Sequence, residues 1–149
     1  MEMEYYEDIK LHQKIVVGEY TANRDEMIEF ARKWDPQPYH IDEEAARSYP
    51  NGQLTAPSGY TLGITTLLLA QMESHRVAVL ANLEYEHTKL PIAVLPDDHL
   101  TMTMEHLEKR ESQSNPGRGI VRTLMEVRNQ HNEVVLNYVG VALIAKRPI

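Results

Sequence analysis

The chain has 149 residues, a formal net charge of −7 and no cysteine. Residues 1–149 fit one domain better than two, and a chain of this size buries roughly 68–70% of the surface its unfolded form exposes, while the missing thiols exclude disulfides, thiolate metal sites and cysteine nucleophiles. The acidic balance argues against nucleic acid, whose binding needs clustered Lys and Arg to displace counterions.

The first eight residues, Met1 to Asp8, are acidic and have no apolar core, the wrong chemistry for a secretory signal. Ile15 to Tyr20 predicts an N-terminal strand. Met27, Phe30, Ala31 and Trp34 fall at i, i+3, i+4 and i+7, which predicts one buried face of a helix. Asn23 precedes that run as N-cap, with Glu26 placed as its capping-box partner. Pro36 and Pro38 forbid the helix beyond Trp34-Asp35 and predict a stiffened loop. Asp42 to Arg47 reads as a short helix with acidic residues at its start, where the dipole favours them. Tyr49-Pro50-Asn51-Gly52 is a turn.

Ser58 to Met72 carries no charge, and its length predicts a helix buried on nearly every side, with Ser58 as N-cap. Its longest apolar stretch, Ile64 to Ala70, is far short of the ~20 residues that span a bilayer. The expectation is a soluble cytoplasmic protein with no membrane partner. From Val77 the period becomes two. Val77 to Glu86, Leu100 to Glu105, Val121 to Arg128 and Val134 to Ile144 predict strands, with turns at Ser114 to Gly117 and Asn129 to Glu133. About five strands in a mostly antiparallel meander, with one apolar helix, predict an α+β domain whose sheet wraps that helix.

Asp35 and His40 stand five residues apart on the proline-stiffened segment Asp35-Pro36-Gln37-Pro38-Tyr39-His40-Ile41-Asp42. A carboxylate and an imidazole can grip one water, each handling one of its protons. Spacing alone leaves them equally readable as loop residues bonded to nearby backbone. His40, Asp42 and Glu43 are metal-ligand types, but no second histidine falls at i+4 and no metal is expected. Ala56-Pro57-Ser58-Gly59-Tyr60 opens the uncharged helix, where unpaired N–H groups and the dipole can stabilise an oxyanion. Gly59 would admit a substrate close to the backbone, and an ordinary N-cap with a packing glycine reads the same way. A serine nucleophile is not supported, because Ala56 and Tyr60 replace the glycines of a Gly-x-Ser-x-Gly elbow. His12, His75, His87, His99, His106 and His131 read as surface or strand residues, and Lys109, Arg110, Arg118 and Arg122 as solvated hairpin bases.

Phe30-Ala31-Arg32-Lys33-Trp34-Asp35-Pro36-Gln37-Pro38-Tyr39-His40-Ile41-Asp42-Glu43-Glu44-Ala45-Ala46, followed by Ala56-Pro57-Ser58-Gly59, resembles the signature of MaoC-like dehydratases, which include the R-specific enoyl-CoA hydratases. Tyr5 to Ile9, Pro91-Ile92 and Pro96 to Leu100 resemble looser segments of the same family. The resemblance implies a hot-dog fold, a curved antiparallel sheet around a central helix, and a homodimer with an acyl-CoA groove near its interface. It implies that Asp35 and His40 are catalytic, Asp35 as the preferred base and His40 orienting the water and helping return a proton at C2. Ser58, Gly59 and Tyr60 would bind substrate and receive enolate charge on backbone N–H. No cofactor is implied beyond the coenzyme A of the substrate. An acyl-CoA thioesterase, and a non-catalytic acyl-CoA-binding subunit, are the alternatives that the same fold supports.

Overall fold

An apolar residue at every second position needs one covering surface, and most of the runs after residue 76 pair edge to edge and turn theirs to one helix. The structure is a computed structural model that describes residues 2–149. A two-residue strand β1 (Met3–Glu4) and a 3-10 turn at Tyr6–Asp8 lead into β2 (Lys14–Thr21). Four helices follow: α1 (Arg24–Trp34), α2 (Pro38–Ile41), α3 (Glu43–Arg47) and α4 (Ser58–Gln71). The chain then closes with β3 (Arg76–Val77), β4 (Val79–Lys89), β5 (His99–Glu111), β6 (Arg118–Arg128) and β7 (Val134–Ala145).

Five strands form one sheet in the order β2-β5-β6-β7-β4, antiparallel at every junction. β1 and β3 form a separate parallel pair. The predicted strand from Val77 to Glu86 is therefore two pieces. They part at Ala78, whose N–H goes to Glu4 of β1 while its carbonyl accepts from Ala145.

One face of the sheet receives α4. Tyr60, Ile64, Leu68 and Met72 meet Val17, Leu100, Met102, Met104, Val127 and Leu136, all of them buried. Each such aliphatic side chain is worth about 1.5–3 kcal/mol when fully buried, so this seam is the main stabilising contact. β2 carries a bulge between Val16 and Gly18, and a Cβ on Gly18 would stand 3.3 Å from Leu68 Cδ2. The other side of α4 differs from expectation. Gly63, Thr66, Leu67 and Ala70 are exposed, as is nearly all of the edge strand β4. A helix without charge is covered here on one side only.

Alternation on β5 runs further than the sequence reading took it. His106 continues the inward row of Leu100, Met102 and Met104, and it is 5% exposed. Its Nδ1 meets Thr123 Oγ1 at 2.7 Å, directly across the β5–β6 ladder. His106 is thus a core residue, and burial pulls its pKa below the ordinary histidine value. His75 is also engaged, with Nδ1 2.8 Å from Glu4 Oε1. Two of the hairpin bases are held by protein groups. Lys109 donates to the Tyr6 carbonyl, and Arg122 pairs with Glu86 and Glu108.

Candidate active site

Helix α1 starts as its sequence predicts, with Asn23 Oδ1 accepting from the Glu26 N–H at 2.9 Å. Its buried face is Met27, Ile28 and Ala31, whereas Trp34 is 67% exposed. The last turn has left the core, so the periodic position of Trp34 buries nothing. Asp35 caps that turn, its N–H donating to the Ala31 carbonyl at 2.8 Å.

The segment after Pro36 is a one-turn helix where a loop was expected. Pro38 sits at the first position of α2, where its fixed φ suits a helix and its missing N–H costs nothing. Asp42 ends α2 and caps α3, its Oδ1 accepting from the Glu44 N–H at 3.0 Å. The turn of α2 brings His40 back beside Asp35. His40 is 8% exposed, and its Nε2 lies 3.6 Å from Asp35 Oδ2.

His40 Nδ1 is 2.7 Å from the Thr55 carbonyl oxygen. A carbonyl only accepts, so Nδ1 carries the proton, and a neutral ring presents the Nε2 lone pair to Asp35. Tyr39 lies against the imidazole with centroids 4.4 Å apart, and Tyr49 backs Tyr39 at 4.6 Å. The Thr55–Ala56 peptide is held from its other edge by the Ala56 N–H, which donates to the Val94 carbonyl at 2.8 Å. In that neutral form two acceptors face one another at 3.6 Å, too far for a direct hydrogen bond. A water placed between them donates one proton to each and keeps its lone pairs free.

Three residues beyond Thr55, α4 begins. Pro57 occupies the cap position and offers no side-chain bond, so Ser58 is the first helical residue, one place inside its expected role. The N–H groups of Tyr60 and Thr61 donate to the Pro57 carbonyl at 3.0 and 3.3 Å. Those of Ser58 and Gly59 have no acceptor among the described residues, and both residues are exposed. Tyr60 is turned away from that opening, with its phenol donating to Glu26 Oε1 at 2.7 Å. A Cβ on Gly59 would stand 3.1 Å from Phe30 Cζ, so this glycine lets α1 close on the start of α4. The structure thus brings Asp35 and His40 together and leaves Ser58 and Gly59 at the open start of α4; Thr55, whose contribution is a carbonyl, was not singled out in the sequence.

A cavity of about 420 Å³ lies between the second half of α4 and the sheet, lined by Thr66, Leu69, Ala70, Met104, Met125 and Tyr138 among others. Asp35 and His40 do not line it. His40 is tied to Thr55, just ahead of α4, and the first helical residue Ser58 lies about 12 Å along the axis from Thr66 at the usual rise per residue.

Comparison with known proteins converges on one group. The profile described as MaoC like domain matches residues 8–129. YdeM, an uncharacterized protein of Bacillus subtilis, is 30% identical over 109 residues, covering 73% of this chain and 76% of that one. The MaoC-like dehydratase of Rhodospirillum rubrum superposes with a TM-score of 0.86 at 28% identity, over 98% of this chain and 99% of that one. The unliganded R-hydratase of Pseudomonas aeruginosa shares the hot-dog fold, with a TM-score of 0.73 at 19% identity over 97% of this chain and 86% of that one.

Proposed function

From the premise that this chain belongs to the MaoC-like domain family, we propose that it is a hydro-lyase adding water reversibly to a trans-2-enoyl-CoA to give a 3-hydroxyacyl-CoA. The observation that carries this reading is the pair of acceptors, Asp35 Oδ2 and His40 Nε2, 3.6 Å apart with the imidazole tautomer set by the Thr55 carbonyl. The similarity to a MaoC-like dehydratase supports it.

One water donates a proton to each acceptor, and its oxygen attacks C3 of the enoyl thioester. Asp35 takes one proton while His40 holds the other and with it the orientation of the nucleophile. The electron pair moves to the thioester oxygen. The Ser58 and Gly59 N–H groups, at the positive end of α4, stabilise that enolate. The proton lifted from water is returned to C2, so one water adds across the double bond and the pair ends as it began. The chemistry needs no metal or redox group. The cavity against Thr66, Leu69 and Ala70 would take the far part of the acyl chain.

A second copy of the chain is the partner this reading implies. Leu80, Leu83 and Tyr85 on the edge strand β4 are each more than half exposed, and Tyr85 lines the same cavity as Thr66 and Ala70 of α4. An apolar open edge with unpaired backbone groups is a template for another strand.

The test follows loss of the conjugated thioester absorbance of crotonyl-CoA and release of free thiol together, with His40→Ala as control. Absorbance loss without thiol, abolished in the variant, is the expected result. Thiol release would make the protein a thioesterase.

A further inference from the structure

The start of α4 is tied to α1 by a closed ring of hydrogen bonds. The Glu26 carboxylate accepts from the Tyr60 phenol at 2.7 Å and also from the Tyr20 hydroxyl at the end of β2. The Tyr60 oxygen in turn accepts from the Asn23 N–H at 3.3 Å, and Asn23 caps the turn that carries Glu26. Asn23 was expected to receive the Glu26 side chain on its own N–H; Tyr60 takes that place. The ring of Tyr60 is 5% exposed and meets Phe30 edge-on, with centroids 6.0 Å apart. Phe30 also presses on Gly59.

Each end of this assembly bears on the chemistry. Tyr60 follows Ser58 and Gly59 directly, and α1 ends at Asp35. α1 is thus a rigid arm, fastened to the first turn of α4 at one end and carrying the carboxylate at the other. We propose that Glu26 is a positioning residue: through Tyr60 it sets the placement of the Ser58 and Gly59 N–H groups relative to Asp35. This rests on the reading of those two N–H groups as the enolate site. Glu26 touches no reacting atom. Its effect belongs in kcat, because misplacing the charge receiver by a fraction of an ångström weakens transition-state binding more than ground-state binding. Burial of the phenol and the neighbouring carboxylate both keep Tyr60 protonated, so the donor persists at any working pH.

The experiment compares Glu26→Ala, Tyr60→Phe, their double variant and Glu26→Gln by two readouts. The first is kcat and KM for crotonyl-CoA hydration. The second is the enolate absorbance of bound acetoacetyl-CoA, which needs no turnover. Glu26→Ala and Tyr60→Phe should each lower kcat about tenfold with KM within twofold, and each should weaken the enolate signal. The double variant should be no worse than the poorer single, and Glu26→Gln, whose amide oxygen still accepts, should recover most of the loss. If wild-type protein turns over crotonyl-CoA and both single variants match it in kcat and enolate signal, the positioning role is wrong. Additive losses, or losses only in proportion to melting temperature, would also overturn it. If wild-type protein shows no hydration but an enolate signal that Glu26→Ala weakens, the positioning role stands and the hydratase reading falls. If neither readout responds in wild-type protein, both fall.

Discussion

Replacing Asp35 by Asn changes one atom in the acceptor pair and reverses its polarity. The carboxamide keeps the size of the carboxylate but offers an NH₂ where a proton acceptor stood. His40 Nε2, with its lone pair turned toward residue 35 from 3.6 Å, is the natural partner for that NH₂. A small closure to about 3.0 Å makes a direct hydrogen bond and displaces the water that would have bridged the two. The variant therefore loses both the base and the seat of the nucleophile. Removing a positioned general base costs about a hundredfold to ten-thousandfold, roughly 2.7–5.4 kcal/mol of barrier at about 1.36 kcal/mol per decade. The fold should be indifferent, because the Asp35 side chain is 37% exposed and, among the described residues, His40 is the only basic side chain within 4 Å of it; the stability change should stay within about 0.5 kcal/mol. The assay is crotonyl-CoA hydration followed by absorbance, with thermal unfolding on the same samples. Wild-type turnover in the Asp35→Asn protein would refute the two-acceptor mechanism, and lost turnover with an equally lost fold would refute the claim that Asp35 is free of structural duty.

Gly119→Ala should destabilise by about 1–3 kcal/mol, the usual cost of overpacking, because its Cβ would fall 2.3 Å from Tyr6 Cε2 and 2.9 Å from the Arg110 carbonyl oxygen. Tyr6→Ala costs stability of its own, because Tyr6 is buried, but it removes the first clash, so Gly119→Ala should cost less in that background than in the wild-type chain when thermal unfolding is compared. His106 gives a pH dependence. Its folded pKa lies below the ordinary value of 6.5, so on acidification the unfolded chain takes up this proton first and stability falls as pH drops through about 6.5. His106→Gln should flatten that fall in melting temperature. The acidic window below it, where Glu7 and Asp8 are held low by hydrogen bonds involving the Tyr5 and Arg147 segments, should remain. Leu83→Asp on the open edge of β4 should shift the mass by light scattering from dimer to monomer; an unchanged dimer would place the second copy elsewhere.

Local chemistry was legible wherever a single turn decides it. Asn23 caps α1 as read, because the acceptor and the N–H it satisfies are three residues apart, and Asp42, read as the first residue of its short helix, stands one place earlier as the cap of α3. Gln37-Pro38 carried a signal for α2 as well, proline at a first helical position, but the paired prolines read more simply as a loop. His106 has the parity of Leu100, Met102 and Met104 and belonged with them on the buried face. Trp34 shows where periodicity stops informing: it marks one stripe of a helix and not the point at which the helix leaves the core. Two features needed the third dimension. Glu26 looked like the far half of a capping box, yet its carboxylate serves Tyr60, 34 residues on. The uncharged helix looked buried all round, and its bare side shows that apolarity records the need for cover without saying which chain supplies it.

The Thr55–Ala56 peptide has a consequence for how this site can be found by mutation. The protonation pattern of His40 is written in a backbone carbonyl, and that carbonyl is present whichever amino acid occupies position 55. A side-chain scan would pass over it and record only how well the new side chain fits its buried slot. The position is thus permissive in identity and strict in geometry. Ala56→Pro is the substitution that reaches it, since it deletes the N–H that donates to Val94 and frees the peptide plane to turn. A residue bearing no functional group at all would then govern which nitrogen of the histidine faces the water.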